Sequence, residues 1–328
     1  MLAGQFTAPH RIDLVEAPEP QLTAGGSGEI IFEPELTCLC GSDTPYFTWS
    51  GEWPIRLGHS LHEMIGRVVA TNGQRWKVGD RVLCVPPEQN GLWERYTVSE
   101  NQCVAIDPRC SDSEAVLAQP LGTAIFALKK LPTLVDLDVA IVGQGPMGQI
   151  FNMSAKALGA RQVIGIDKLE SRLTTSVKTG ATATICNATE SPLARLKELT
   201  GGKGADIVIE AVGHAEQQFN LCIELLGYGG RILYFGVAPE IINGLRWRDL
   251  IFKNGTVHTS INPDFRRDFP LAMQWIAERR VDVNPLVTHT FPLAEVQTAL
   301  ETFRDRRDGA IKVFVEFPAY RRSGTGPQ

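Results

Sequence analysis

One stretch constrains the fold more than any other: "DVAIVGQGPMGQI", residues 138–150, in which an apolar run leads directly into closely spaced glycines. Gly143, Gly145 and Gly148 form the pattern G-x-G-x-x-G, and Asp167 ends the next apolar run along the chain. A strand, a glycine-rich turn, a helix and a later acid together make the dinucleotide-binding signature. The stretch therefore predicts a nucleotide-binding α/β unit, although a glycine-rich turn that binds nothing has the same letters.

Each position of this turn has an expected task. Gly143 permits the tight turn, Gly145 lets the backbone approach a pyrophosphate, and Gly148 lets the helix pack closely on the strand. Pro146 and Met147 begin the helix, whose free N–H groups would face the phosphates. We therefore expect residues 143–148 to contact a dinucleotide.

The residues after the second strand indicate which dinucleotide binds. Asp167 would accept hydrogen bonds from the adenosine ribose hydroxyls and would repel a 2′-phosphate, which favours NAD over NADP. Lys168 and Arg172 follow and would either flank the adenine or reach a phosphate. Because Lys168 is a cation beside the acid, binding of NADP stays open as an alternative.

The pattern of apolar runs changes near residue 121. Before it, short strand-like runs are separated by Gly and Pro, which predicts a β-rich region. After it, continuous apolar runs alternate with helical segments, as in a doubly wound parallel sheet. The last strand-like run, "AIKVFVEF", is predicted to return to the first region. We therefore expect one domain made of residues 1–121 and 260–328, with residues 122–259 inserted as a second domain, and a disordered tail from residue 319.

Composition excludes several classes of function. The net charge of −5 gives no basic surface for nucleic acid or an anionic membrane. No apolar run approaches the roughly 18–20 residues that span a bilayer, and the N-terminal stretch does not have the pattern of a signal peptide. The chain has seven cysteines, an odd number, and none of them form a C-x-x-C pair, so neither a disulfide framework nor a four-cysteine zinc site is indicated. We expect a reduced, cytoplasmic protein without nucleic-acid or membrane partners.

A second set of residues suggests a metal. "CLCGSDTPYF" supplies Cys40, and "LGHSLHEMIGRV" supplies His59 and His62, with Glu63 beside the second histidine. Thiolate and imidazole are standard zinc ligands, whereas a lone histidine is more often only packed or solvated. The sequence alone leaves open which histidine would bind a metal.

These pieces together resemble the zinc-dependent medium-chain dehydrogenase/reductase superfamily. Further pieces that carry the resemblance are "AQPLGTA", "KVGDRV", "GADIVIEAVG", "GGRILYFGV" and "KVFVEF". The resemblance runs from about residue 25 to 317 and is strongest to the alcohol, polyol, threonine and sugar dehydrogenase branch. It implies an α/β fold with a GroES-like β-rich catalytic domain and an inserted Rossmann domain.

The resemblance also implies the metal ligands. Carried over by position, they are Cys40, His62 and Gln119, with Glu63 as an alternative to Gln119. His62 is favoured over His59 because it has the longer flanking pattern, Glu-x-x-Gly-x-Val, although Leu61 stands where the family has glycine. Gln119 departs from the family, which usually has Glu there.

Other roles are implied in the same way. Ser42 would pass the substrate proton towards solvent, and Asp43 would accept the second N–H of His62. Glu63 would replace water or a departing product on the metal. Pro45 stands where relatives often have His, which puts a histidine relay in doubt. Cofactor contacts are also implied for two later loops, at Ala211, Val212, Phe235, Gly236 and Val237.

The expected activity is reversible oxidation of a secondary alcohol to a ketone. One catalytic zinc would act as a Lewis acid and NAD would take the hydride. No structural zinc is expected, because only Cys84 remains where relatives carry four cysteines. Two alternatives stay open: a zinc-free reductase of the same superfamily, and a dinucleotide-binding protein without catalysis.

Two further expectations concern assembly and the substrate site. The resemblance, together with the apolar runs "GRILYFGV" and "GTVHTSI", implies an exposed edge in the Rossmann domain that pairs across a two-fold axis, so at least a dimer is expected, either a homodimer or a homotetramer. Aromatic residues near the metal motif would line the site of a small alcohol or ketone or simply pack in the interior: Tyr46, Phe47, Trp49, Trp53 and Trp93.

Overall fold

The computed structural model describes residues 1–50, 55–214 and 216–322. Its strands are β1 (Leu2–Ala8), β2 (Arg11–Glu16), β3 (Glu29–Cys38), β4 (Glu63–Thr71), β5 (Arg81–Cys84), β6 (Tyr96–Ser99), β7 (Cys103–Ala105), β8 (Asp138–Val142), β9 (Gln162–Asp167), β10 (Ala183–Cys186), β11 (Ala205–Glu210), β12 (Leu226–Tyr234), β13 (Thr256–Thr259), β14 (Val287–Pro292) and β15 (Lys312–Glu316). Its helices are α1 (Thr44–Thr48), α2 (Asp112–Leu128), α3 (Pro146–Ala157), α4 (Glu170–Lys178), α5 (Pro192–Leu199), α6 (Glu216–Leu225), α7 (Trp247–Phe252), α8 (Phe265–Ala277), α9 (Val296–Asp305) and α10 (Pro318–Arg322).

The chain divides into two compact units. The β-rich unit comprises Met1–Gln119, Phe269–Ala277 and the residues from Val287 onward. The parallel-sheet unit comprises Pro120–Asp268 and Glu278–Leu286. The sequence predicted one domain of residues 1–121 and 260–328 and a second domain of residues 122–259. These limits remain a prediction.

The parallel-sheet unit has the doubly wound architecture predicted from its apolar runs. Its strands are parallel in the order β10-β9-β8-β11-β12-β13. The order changes direction beside β8, the strand that leads into the glycine-rich turn, and such a switch point is where α/β sheets bind ligands. Every residue of β8 is buried, as expected for a strand covered by helices on both faces.

The β-rich unit is organised around β3, its longest strand. Its main sheet has the order β14-β15-β3-β4-β5-β7, and β6 also pairs with β3. The final strand, β15, pairs antiparallel with β3, with Phe314 opposite Cys38. The predicted return of the last strand to the first region is therefore confirmed.

Helix α2 was not anticipated, and the boundary expected near residue 121 falls inside it. Its start has a recognisable capping box, because Ser111 N–H donates to the Glu114 carboxylate at 2.8 Å and Glu114 N–H donates to the Ser111 hydroxyl at 3.4 Å. Pro120 lies within the helix. A proline in mid-helix obscured the helical pattern in the sequence.

The expected disorder from residue 319 is wrong for the first part of the tail. Pro318–Arg322 form helix α10, and Ala319 and Tyr320 are buried. Burial of these two side chains outweighs the polar composition around them. Residues 323–328 lie outside the described residues.

Within the described residues, none of the helices is both long and apolar enough to cross a bilayer.

Candidate metal centre and dinucleotide turn

The end of β3 and the start of β4 bring three metal-binding side chains together. Cys38, the last residue of β3, lies opposite Glu63, the first residue of β4. Cys40 therefore emerges beside His62, since antiparallel neighbours meet at opposite chain ends. Ligand atoms of Cys40, His62 and Glu63 all lie within 4.8 Å of one another.

This donor set fits a zinc ion. Thiolate, imidazole and carboxylate are the ligands that zinc takes in proteins, and three protein ligands are typical of a catalytic site. Burial opposes a charge on His62, but a hydrogen bond to Cys40 and the charges of Cys40, Asp43 and Glu63 raise the pKa of His62 to about 9. The site is thus an electronegative pocket that favours a cation. Among the described residues, His59 is not part of this group.

Glu63 is also held from behind by a buried cation. The ammonium of Lys312, on β15, donates to Glu63 Oε2 and, at 3.2 Å, to the carbonyl oxygen of Leu39. Cys38 Sγ donates to the same carboxylate oxygen at 2.8 Å. Both Lys312 and Glu63 are almost entirely buried. A buried charge needs a partner, so the ion pair with Lys312 fixes the position of the Glu63 carboxylate.

The expected hydrogen bond between His62 and Asp43 is wrong. Asp43 Oδ1 accepts from Ser60 Oγ and from Leu61 N–H, both at 2.8 Å, and Asp43 Oδ2 accepts from Cys40 N–H at 2.7 Å. Nδ1 of His62 is buried and has no hydrogen-bond partner in the described chain. Asp43 therefore joins the two loops that carry Cys40 and His62 instead of orienting the imidazole directly.

These bonds hold a strained backbone. Ser60 and Leu61 have φ values of 98° and 67°, a region that side-chain-bearing residues rarely adopt. Ser60 N–H donates to the carbonyl oxygen of Gln89 at 2.8 Å, which adds a further anchor. Such strain persists only where the surroundings over-determine it. Leu61 stands where the family has glycine, and it adopts the left-handed backbone conformation that glycine adopts more readily.

The remaining predicted residues of this site are placed as follows. Ser42 Oγ is buried and has no hydrogen-bond partner among the described residues. Gln119 is buried in α2, directly before Pro120, and its role as third ligand stays a prediction. Pro45 is the second residue of α1.

The predicted aromatic residues divide between the interior and the surface. Tyr46 and Phe47 are buried in the core of the β-rich unit, and Trp93 packs against that core. Trp49 is 43% exposed. Trp53 lies outside the described residues. Packing therefore accounts for Phe47 and Trp93, whereas Tyr46 also contacts His59.

The glycine-rich turn has the local geometry that its sequence predicts. Gly143 has φ +92°, and a Cβ at Gly148 would lie 1.9 Å from the carbonyl oxygen of Gly143, so neither position tolerates a side chain. Gly145 is the N-cap of α3, and Pro146 and Met147 are its first residues. The N-terminus of α3 is thereby open to a phosphate.

Asp167 ends β9 and lies against this turn. Its Oδ2 accepts from Gln144 N–H at 2.7 Å, and its Oδ1 accepts from Leu169 N–H at 3.0 Å. The guanidinium of Arg172 is 3.6 Å from Oδ2 and lies over Gly145. Each carboxylate oxygen therefore has one lone pair that no hydrogen bond from the described chain occupies.

A buried acid that the sequence reasoning missed shapes the two later loops. The Glu210 carboxylate accepts from Val212 N–H and Gly213 N–H, both at 2.9 Å, and from Gly236 N–H at 3.2 Å. Its backbone carbonyl accepts from Phe235 N–H. Glu210 thus holds together the loops predicted to contact the cofactor, which include Ala211, Val212, Phe235, Gly236 and Val237. An acid at the end of an apolar run, in "IVIEAVG", was the available signal.

Comparison with known proteins agrees with this geometry. Residues 26–118 match the model of the alcohol dehydrogenase GroES-like domain, and residues 146–278 match that of the zinc-binding dehydrogenase. The chain is 28% identical over 334 residues to an L-threonine 3-dehydrogenase of Coxiella burnetii, covering 91% of this chain and 94% of that protein. It is 29% identical over 346 residues to the sorbitol dehydrogenase of Rattus norvegicus, covering 94% and 93%.

A solved structure shows the same architecture. The alcohol dehydrogenase TADH from Thermus sp. ATN1 superposes with a TM-score of 0.84 at 25% identity, covering 97% of this chain and 100% of that one. The chain therefore belongs to the zinc-dependent medium-chain dehydrogenase superfamily and is an oxidoreductase. The expected fold, a GroES-like domain with a Rossmann-type parallel sheet, is confirmed.

Proposed function

We propose that this protein oxidises secondary alcohols of the polyol, sugar or amino-alcohol type, with NAD as the hydride acceptor and one catalytic zinc per chain. The observation that carries the proposal is the grouping of Cys40, His62 and Glu63 within 4.8 Å at the meeting point of β3 and β4. The relatives named above act on threonine and sorbitol, both of which contain a secondary hydroxyl.

The proposed metal ligands are Cys40 and His62, completed by Gln119 or Glu63. A bound zinc ion supplies Lewis-acid polarisation of the substrate oxygen. Ser42, whose Oγ has no partner in the described chain, is suited to accept the substrate proton while it passes its own hydroxyl proton on towards solvent. Asp43 fixes the two ligand loops, and Lys312 holds the Glu63 carboxylate in place.

NAD is the proposed cofactor. Support comes from the glycine turn at 143–148 and from Asp167, which ends β9 beside that turn, where the signature has its ribose-binding acid. Arg172 lies over Gly145, where its charge can contact a phosphate or flank the adenine. A 2′-phosphate beside Asp167 would meet a like charge, so NADP is the weaker ligand.

A zinc-free reductase of the same superfamily is the second candidate. Two features favour it: the Glu63 carboxylate is already paired with Lys312, and Gln119 offers only a neutral amide. Only Cys40 and His62 would then be strong donors. Zinc analysis of purified protein separates the candidates, since one zinc per chain supports the dehydrogenase and none supports the reductase.

We also propose a homodimer or homotetramer that acts in the reducing cytoplasm. In the described residues, β13 stands at the end of its sheet, and exposed apolar side chains lie near it in the chain, among them Trp247, Ile251, Phe252 and Ile261. An exposed edge with apolar neighbours suits pairing with a second copy. Light scattering at micromolar protein tests the oligomeric state, and a monomer mass would refute the proposed assembly.

The proposed compartment rests on the cysteines. The described cysteines are all free thiols, in keeping with a reducing compartment.

The experiment that tests the proposed function is a substrate screen. Purified protein is incubated with NAD and a panel of polyols, amino-alcohols and hydroxy acids, and NADH formation is followed at 340 nm. We expect turnover with at least one secondary alcohol. No turnover with any alcohol, combined with reduction of activated double bonds by NADH or NADPH, would establish the second candidate instead.

A further inference from the structure

A group of polar side chains is buried beneath the dinucleotide turn. Its members are Gln144 in the turn, Gln149 and Asn152 on α3, Ser176 on α4, and Thr179 directly after α4. Helix faces that pack in a protein interior are normally apolar, and a buried polar group is costly unless it is hydrogen-bonded. Packing alone therefore does not explain why these five positions are polar.

Gln149 joins the turn to α4 through a single amide group. Its Nε2 donates to the backbone carbonyl oxygens of Gln144 and Arg172, both at 2.9 Å, and to Ser176 Oγ at 3.2 Å. Carbonyl oxygens only accept, so the nitrogen of this amide is the atom that must face them. Its Oε1 accepts from Thr179 Oγ1 at 2.7 Å. One side chain thus fixes the distance between the turn and the first residues of α4.

The side chain of Gln144 is anchored within the same group. Its Nε2 donates to the carbonyl oxygen of Ile141 at 2.9 Å, and its Oε1 accepts from Asn152 Nδ2 at 2.7 Å and from Ser176 Oγ at 2.8 Å. A Cβ at Gly165, within β9, would lie 3.0 Å from the amide carbon of Gln144. Glycine at this strand position therefore leaves the room that the amide occupies. The turn is tied on its buried side to β8, α3 and α4.

The two elements that Gln149 joins carry groups expected to contact the cofactor. The guanidinium of Arg172 lies 3.6 Å from Asp167 Oδ2 and 3.7 Å from the place of a Cβ on Gly145. The same Oδ2 accepts from Gln144 N–H at 2.7 Å. The α4 carbonyl that Gln149 binds belongs to Arg172 itself. The position of Arg172 relative to the turn therefore depends on the Gln149 amide.

We propose that Gln149 is a positioning residue for the adenosine diphosphate part of the cofactor, whose amide holds the dinucleotide turn and Arg172 at the separation that this part requires. The inference rests on the proposed function, because it takes NAD as the ligand. Gln149 is buried beneath the turn, so it acts through Gln144 and Arg172 and takes no part in moving the hydride. A site that holds its binding geometry before the ligand arrives loses less free energy on binding.

The first test measures binding without turnover. The probe is ADP-ribose, which contains the adenosine and the pyrophosphate but no nicotinamide. Isothermal titration calorimetry compares the wild type with Gln149→Met, which keeps the length of the side chain and removes the amide. We expect the Kd for ADP-ribose to rise about tenfold, because the binding geometry is then present in only about a tenth of the molecules.

The matched control is Thr200→Val, at the edge of the same sheet where its strands begin. Thr200 is buried, and its Oγ1 donates to the carbonyl oxygen of Leu196 at 2.8 Å and accepts from Gly204 N–H at 3.1 Å. This variant also loses buried hydrogen bonds, so its urea midpoint should fall, yet it should bind ADP-ribose as the wild type does. Equal weakening in both variants, or no weakening in Gln149→Met, would overturn the inference.

Ser176→Ala is a milder change of the same group and provides the test if Gln149→Met does not fold. It removes the hydroxyl that donates to Gln144 Oε1 and accepts from the Gln149 amide. The Kd for ADP-ribose should rise about threefold, in keeping with the smaller number of hydrogen bonds lost. A Kd equal to that of the wild type would count against the positioning role.

The second test separates cofactor binding from chemistry. Gln149→Met should raise the KM for NAD about tenfold and leave kcat at saturating NAD within about twofold, because no proposed metal ligand is altered. A fall in kcat without a change in KM would contradict the positioning role.

The two tests together distinguish the inference from the proposed function. Weaker ADP-ribose binding in Gln149→Met, in a protein that oxidises no alcohol, would sustain the inference and refute the proposed function. Alcohol oxidation by the wild type with an unchanged Kd in Gln149→Met would refute the inference alone. Wild-type protein that binds neither ADP-ribose nor NADH would refute both.

Discussion

The dinucleotide turn and the metal centre are built in opposite ways. The turn is made of backbone: Gly143 takes a positive φ, Gly148 leaves room for a carbonyl, and the start of α3 presents free N–H groups. The metal centre is made of side chains from distant parts of the chain. Glu63 and its partner Lys312, for instance, are 249 positions apart.

This difference explains why the two sites withstand change differently. A turn fixed by glycines depends on local chain geometry, so its sequence spacing is nearly sufficient to define it. A centre fixed by buried ions depends on each partner being present, because a buried charge without its partner is costly. The metal centre should therefore lose more from a single substitution than the turn does.

The largest effect is expected at His62. His62→Ala should remove zinc and lower kcat by about 1000-fold or more, since several kcal/mol of transition-state stabilisation depend on the metal. His59→Ala should retain zinc, because His59 is outside the group of described ligand atoms. Zinc per chain, measured by mass spectrometry of the purified variants, checks both. Exchange of the two phenotypes would show that the register through "LGHSLHE" is wrong by three residues.

Lys312 should matter mainly through stability. Lys312→Met leaves Glu63 as a buried charge without its cation, which should lower the free energy of unfolding by about 3–5 kcal/mol. Urea unfolding of the wild type and the variant measures this.

The matched control for Lys312 is a surface pair, Arg195 and Glu198, 2.8 Å apart and one helical turn from each other. Arg195→Met should cost less than about 0.5 kcal/mol. Equal losses for the two variants would mean that Lys312 is not an essential partner of Glu63.

A smaller effect is expected in the dinucleotide turn. Asp167→Ser removes a ribose acceptor and a charge that repels a 2′-phosphate, so NADH binding should weaken about tenfold while NADPH binding changes less. Fluorescence titration with both reduced cofactors measures the gap. Wild-type protein that binds NADPH as tightly as NADH would contradict the assignment of Asp167.

The smallest effect concerns Gln119. A carboxamide oxygen is a weak zinc ligand, so Gln119→Glu should slow the loss of zinc to a chelator by several-fold, on the order of tenfold at most. Stopped-flow transfer of zinc to a chromogenic chelator follows the rate. Unchanged kinetics would indicate Cys40, His62 and Glu63 as the ligand set.

The sequence predicted what local rules decide. The strand, turn and helix around Gly143 follow from periodicity and spacing. The return of the last strand to the β-rich region was also predicted, but its pairing with β3 was not. The register that pairs Cys38 with Glu63 could not be read from spacing, and neither could the buried lysine behind it. Lys312 is a single charged residue in the apolar run "AIKVFVEF", which indicates a buried lysine with a partner. The identity of that partner, Glu63, depends on how the strands pair in the folded protein.

Asp43 shows a second limit. The family pattern suggested a bond to His62, yet the segment between Gly58 and His62 differs from that pattern, and Ser60 and Leu61 take the carboxylate instead. Asp43 keeps its position in the motif, but the different backbone path at Ser60 and Leu61 changes which groups its carboxylate binds. Helix α2 was missed for a related reason, because Pro120 hid a helix whose packing tolerates it.

X-ray absorption at the zinc edge of the purified protein tests the central claim most directly, that Cys40 and His62 form a catalytic zinc centre with an oxygen ligand from Gln119 or Glu63. We expect one zinc per chain, with a single sulfur neighbour at about 2.3 Å and the remaining neighbours nitrogen or oxygen at about 2.0–2.2 Å. A spectrum with no zinc, or with two or more sulfur neighbours, would contradict it.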